Sequence, residues 1–202
     1  MRDISKIETY ADADEWCRDL IAATDALRPP GAHFHALYGS ERNLLSALVC
    51  FLLDYFPSRD LSLDSILILL SMAESREGDP YFKSPLDLLF DQIEDGKRYT
   101  RKGDDSDWVW VPSNLKRRDG VRPGDCGGLS PDEDAALLRW YPLKFIPRAD
   151  FSIIVSDLMC RVIDFMVEQS RVPPVPEDAP ARVGMDKGKR ALLTRFLGHR
   201  EE

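Results

Sequence analysis

The sequence predicts an all-α fold, a compact bundle of six to seven helices. Three observations carry that prediction. Apolar residues recur at helical spacing in one segment after another. The segments open on Ser or Asp caps and close on Pro or Gly. Outside Val109-Trp110-Val111, almost nothing in the chain reads as a strand. Hydrophobic residues make up 44% of the 202, too many for a disordered chain and enough for one domain-sized core. No repeat with a period of 20–50 residues is visible.

The first helix is expected over residues 4–27, where Ile4, Ile7, Trp16, Leu20, Ile21 and Leu27 recur at roughly helical spacing. The alternative is a helix capped by Asp12 or Asp14 that starts near Ala13. Pro29-Pro30-Gly31 ends it either way. Residues 40–56 form the second helix, with Ser40 as its expected cap and Pro57 beyond its end. Leu44, Leu45, Leu48, Val49, Phe51 and Leu52 make it apolar around nearly its whole circumference, which marks a buried central helix. The third helix runs from Leu63 to Ala73 behind a Ser62 cap, with Asp64 on the positive end of its dipole. Residues 76–82 read as a charged loop.

Ser84-Pro85-Leu86-Asp87 is a strong helix start, with a cap, a proline at the first helical position and a carboxylate in the first turn. That helix spans Pro85–Asp95 and stops at Gly96. Residues 96–129 lose all apolar periodicity and read as a long basic surface insertion, with 109–111 as half of a small hairpin. Ser130-Pro131-Asp132-Glu133 repeats the start signal, with Glu133 at the capping-box position, and predicts a helix to about Tyr141 that Pro142 ends. The last long helix covers about 150–170. A proline linker from Pro173 and a short basic helix, Lys187–Leu197, set residues 173–202 apart from the domain at 1–172.

Charge narrows the partners. The chain carries 35 acidic and 27 basic side chains, a net charge of −8, which disfavours a general nucleic-acid binder. The charge is uneven: residues 1–95 hold 18 acidic and 8 basic groups, residues 96–202 hold 17 and 19. The acidity therefore belongs to the N-terminal helices. No run of about 18 apolar residues predicts a membrane span, and the polar N-terminus does not read as a signal peptide, so a cytoplasmic location is expected. Cys17, Cys50, Cys126 and Cys160 form no CxxC pair and are expected as free thiols, with Cys17, Cys50 and Cys160 in apolar helical patterns. No metal site and no cofactor are expected.

Catalytic motifs are not apparent. The stretch Gly184–Arg190 lacks the glycine spacing and the Ser or Thr of a phosphate loop, and reads as a basic hinge. The insertion is the unusual feature. Lys97, Arg98, Arg101 and Lys102 precede Trp108 and Trp110, and Lys116, Arg117 and Arg118 follow. Basic groups neutralise phosphates and exposed rings stack on unpaired bases, which suits single-stranded DNA. The competing reading is a solvated loop whose tryptophans pack back on the helices, and the nearby Asp104, Asp105, Asp107, Asp119 and Asp125 favour it.

The order of these segments resembles a known family. Glu41-Arg42-Asn43-Leu44-Leu45-Ser46-Ala47-Leu48, the pair Ala73-Glu74, and above all Lys83-Ser84-Pro85-Leu86-Asp87-Leu88-Leu89-Phe90 are similar to the all-α domain of TraG-type coupling proteins, from conjugative type IV secretion in Gram-positive bacteria. The resemblance covers residues 4–95 and extends more loosely over 130–170. There Trp140-Tyr141 and Lys144-Phe145 stand where the family has a Gln-Tyr element and a Lys/Phe cluster. The family's Gly-Lys-Thr stretch is replaced by Pro147-Arg148-Ala149-Asp150, and residues 96–129 are extra. The resemblance implies a non-catalytic recognition module at the inner face of the membrane, docking a relaxase or a relaxosome accessory protein for DNA transfer. The Walker motifs of such ATPases lie outside this domain. Glu41, Glu74, Asp87 and Asp91 are the acidic side chains expected to meet a basic protein partner. The alternative is a stand-alone helical protein that binds single-stranded DNA through the insertion.

Overall fold

A computed structural model describes residues 3–27, 38–73, 82–101 and 108–171. The expected basic helix at 187–197, the proline linker and the loop at 76–81 lie outside the described residues. The described fold is all-α: seven α-helices and one two-stranded sheet.

The first helix differs from both expectations. Ile4–Lys6 is a separate 3-10 turn, and α1 (Tyr10–Asp25) begins behind Thr9. Thr9 and Asp12 form a reciprocal box: the Asp12 amide donates to Thr9 Oγ1 at 3.1 Å, and the Thr9 amide donates to Asp12 Oδ2 at 3.2 Å. Two otherwise unpaired amides are satisfied, and this decides the start. Helix α2 (Tyr38–Tyr55) already runs through Ser40, which is therefore not its cap. Gly39 and Ser40 are weak helix formers, but burial of the apolar residues behind them outweighs that weakness.

Helix α2 is the central element. It touches α1, α3 (Leu63–Ser71), α6 (Ala135–Trp140) and α7 (Arg148–Arg171). Its residues from Leu44 to Leu53 are buried almost without interruption, as an apolar circumference requires. Helix α4 (Pro85–Glu94) starts as expected: Ser84 Oγ accepts from the Asp87 amide at 3.1 Å, and Asp87 Oδ2 accepts from the Ser84 amide at 2.8 Å. Aromatic rings join the layers. Trp140 stacks on Phe90 with centroids 4.2 Å apart, Phe151 meets Trp140 edge-on, and Phe51 lies 5.7 Å from Phe90.

Residues 96–129 are more structured than a loop. Strands β1 (Lys97–Arg101) and β2 (Trp108–Pro112) pair antiparallel, with Tyr99 opposite Trp110. The return leg is tied to the bundle. The Ser113 amide donates to the Gly96 carbonyl (2.8 Å), the Arg118 amide to the Asp54 carbonyl (2.7 Å) and the Leu129 amide to the Ile93 carbonyl (2.9 Å). It contains one short helix, α5 (Pro123–Cys126), and Pro123 is buried.

Glu133 makes only half of its expected box: its carboxylate accepts from the Ser130 amide at 2.8 Å, but its own amide donates to the Ser130 carbonyl at 3.0 Å and closes a turn. The helix itself waits for Asp134, whose Oδ1 accepts from the Leu137 amide at 2.9 Å. Pro142 does not end the helical path, which continues as a 3-10 helix over Tyr141–Phe145. Cys17 and Cys50 are buried free thiols, and burial pushes the Cys50 thiol up to about 12. Cys160 is exposed, on the outer side of α7, because the apolar pattern there is wider than the face that packs. No helix among the described residues is long and apolar enough to cross a membrane.

Candidate functional site

The acidic candidates are engaged inside the fold. Glu41 is buried on α2, with Oε2 2.9 Å from Arg161 Nε. Arg161 is only 1% exposed and also donates to Asp25 Oδ1 (2.5 Å) and Thr24 Oγ1 (3.1 Å) on α1. Asp87 serves the α4 cap and lies 3.0 Å from Arg148 Nη1. Asp91 takes Lys83 Nζ at 2.5 Å and has Lys144 Nζ at 3.9 Å. Burial raises the Asp91 carboxyl pKa in spite of the two lysines. Glu74 lies outside the described residues.

The basic candidates separate into two groups. Arg117 and Arg118 are structural ties. Arg117 donates to Asp119 (2.5 Å) and to the Glu133 carbonyl (2.6 Å), and Arg118 Nε donates to the Phe56 carbonyl (2.7 Å). Lys116 is exposed on the same leg. The second group is on the hairpin, where alternation puts Lys97 and Tyr99 on one face with Trp110 across from Tyr99. Tyr99 and Trp110 are 47% and 55% exposed, and their rings pack with centroids 4.7 Å apart. Arg98 points to the other face and is half-buried, and its Nε has no hydrogen-bond partner among the described residues. Arg101 and Trp108 are backbone partners in the strand register, and Lys102 lies outside the described residues.

The hairpin stands beside a cleft of about 650 Å³. One wall is the end of α4, with Glu94 and Asp95; the other is β2, with Trp110, Val111 and Pro112. Gly124 and Gly127 complete it. Glycine is required around this cleft. Gly96 has φ +63°, and a Cβ there would sit 2.5 Å from the Gly128 nitrogen. On Gly128, with φ +112°, a Cβ would meet the Glu94 carbonyl oxygen at 1.9 Å. These approaches clamp the α5 loop on the end of α4 and set the width of the opening. Glu94, Asp95, Gly124 and Gly127 were not among the residues expected from the sequence. The run of glycines at 96, 124 and 127–128 was the one available signal.

Among the described residues, no three His, Cys, Asp or Glu side chains are grouped so as to hold a metal ion. The arrangement is one of shape and charge: a projecting aromatic pair, and at its base a cleft lined by Glu94, Asp95 and Lys97. No protein-family model, no curated protein and no solved structure matches this chain.

Proposed function

We propose that this chain is a non-catalytic recognition module of a conjugative coupling apparatus. It docks a relaxase or a relaxosome accessory protein at the cytoplasmic face of the membrane, through the outer face of the β1–β2 hairpin. The observation that carries this reading is the Tyr99–Trp110 pair, two large rings packed together yet about half exposed. Aromatic anchors of this kind dominate protein interfaces, because they bury much area at little entropic cost. The resemblance of residues 4–95 to coupling-protein domains supports the biological setting. The acidic residues Glu41, Asp87 and Asp91 act in this reading by holding the bundle rigid behind the hairpin.

The test is capture of the relaxase encoded in the same conjugative element, at low salt, by the full chain. Wild type should retain it, and Trp110→Ala should release it while keeping the native circular-dichroism spectrum. Capture unchanged by Trp110→Ala and Tyr99→Ala together would remove the hairpin from the reading. A second reading is favoured by Lys97 on the same face as the rings: direct contact with single-stranded DNA. Fluorescence anisotropy with an oligothymidylate decides it, because Lys97→Ala must then weaken binding and steepen no salt dependence.

A further inference from the structure

We infer that the cleft at the base of the hairpin receives a basic side chain of the docked protein, an arginine in preference to a lysine. The inference rests on the docking surface proposed above and names what that surface selects. Its volume of about 650 Å³ far exceeds one side chain, so a guanidinium can enter with its flanking backbone.

Three features of the cleft favour a cation. The first is the end of α4, whose C-terminal carbonyls carry partial negative charge. Of these, the Asp91 carbonyl is used by the Asp95 amide (2.8 Å) and the Ile93 carbonyl by the Leu129 amide (2.9 Å). The second is the carboxylate pair at that helix end. Glu94 is ion-paired to Lys144, and Asp95 is exposed at the cleft. The third is the Trp110 ring, which lines the cleft and is 55% exposed, so a planar cation can lie on it. Gly127 brings bare backbone to the cleft with nothing within 4 Å of where its Cβ would be, which leaves room for a flat group, whereas Gly124 is packed against the Ser113 backbone. Guanidinium fits this set better than ammonium, since it stacks on an aromatic face and forks onto a carboxylate at once.

Lys97 also lines the cleft, and it supplies the discriminating sign. Its ammonium opposes an incoming cation but attracts a phosphate. Removing it therefore strengthens arginine binding and weakens nucleic-acid binding.

The experiment is a nuclear magnetic resonance titration of the full-length, nitrogen-15-labelled chain with the peptide acetyl-Gly-Arg-Gly-amide. The neutral citrulline peptide and an eight-residue oligothymidylate serve as comparisons. The arginine peptide should shift the Gly124 and Gly127 amides and the Trp110 indole, and the citrulline peptide should not. Asp95→Asn should weaken the arginine peptide about fivefold, and Lys97→Ala should tighten it. Equal shifts with citrulline would overturn the inference. So would binding unchanged by Asp95→Asn, or shifts of the same signals by the oligonucleotide alone. The relaxase capture separates this inference from the reading beneath it. Capture lost with Trp110→Ala but intact with Asp95→Asn refutes the cleft and keeps the docking face. Capture intact with both variants refutes both.

Discussion

Asp54 lies buried on α2, with Oδ1 accepting the Tyr10 hydroxyl at 2.8 Å and Oδ2 without a hydrogen-bond partner among the described residues. Asp134, Arg117 and Asp119 face it from the chain before α6 and from the return leg, and Tyr10 faces it from α1. Burial is the main cause that raises its pKa to about 6, against an unfolded value of about 3.9. Between those values the folded state holds the extra proton, so stability falls as pH rises from about 4 through 6. Asp54→Asn keeps an acceptor for Tyr10 and removes the buried charge. At pH 8 it should stabilise the protein by on the order of 1 kcal/mol, and it should flatten the pH dependence of urea unfolding over pH 4–6. A stability loss at pH 8 would show that the charge is stabilising there. The sequence places Asp54 in an apolar helix, but what faces it comes from residues 44 to 80 positions away.

At the scale of elements, Arg161 joins α7 to α1 and α2. It is buried among Glu41, Asp25 and Asp157. A charged side chain at this depth is tolerated because carboxylates from three helices surround it. Arg161→Met should cost about 3–5 kcal/mol, because it leaves the Glu41 carboxylate buried beside an apolar group. Adding Glu41→Gln to that variant should recover roughly 1–2 kcal/mol, read as the non-additive term of a double-mutant cycle in urea. Additive losses would mean that the two groups do not act on each other. Helix starts were legible where the cap is local, as at Ser62 and Ser84. Thr9 with Asp12 is just as local a signal; the apolar residues Ile4 and Ile7 before it obscured the break. Glu133 misled for another reason. Its carboxylate accepts from the Ser130 amide, yet the Ser130 side chain does not complete the box, and Asp134 one residue later governs the helix, held in place by the Tyr55 hydroxyl at 2.7 Å from the end of α2.

The described residues form a bundle from which the β1–β2 hairpin projects. Hairpin and return leg play different parts: the first carries exposed rings, the second carries Leu115, Val121 and Leu129 against the core. Replacing residues 98–111 by Asn-Gly, a two-residue hairpin turn, should therefore leave a cooperatively folding bundle. Its melting temperature should fall by only a few degrees, since about 1 kcal/mol moves a chain of this size by roughly 2–4 °C. The same variant should lose relaxase capture. Removing residues 113–129 as well should abolish the cooperative transition, and a sharp transition in that second variant would show that the return leg is dispensable. The sequence split of charge, acidic before residue 96 and near-neutral after, does not translate into an acidic docking face at Glu41, Asp87 and Asp91, because those carboxylates meet cations brought from residues 83, 144, 148 and 161.

By itself the sequence determined the all-α class, the buried character of α2, the Ser62 and Ser84 starts and the second strand of the hairpin. Each depends on neighbours within a turn or two, or on a period that needs no partner to be read. Tertiary structure decided which charges are spent inside and which rings stay outside. Arg117 and Arg118 look the same in the sequence as Lys97, but their guanidinium groups bond to Glu133 and Phe56, while Lys97 stays exposed with Tyr99 and Trp110. The cleft beside them belongs wholly to that level. It exists because glycines separated by some thirty positions can bring two backbones to within van der Waals reach.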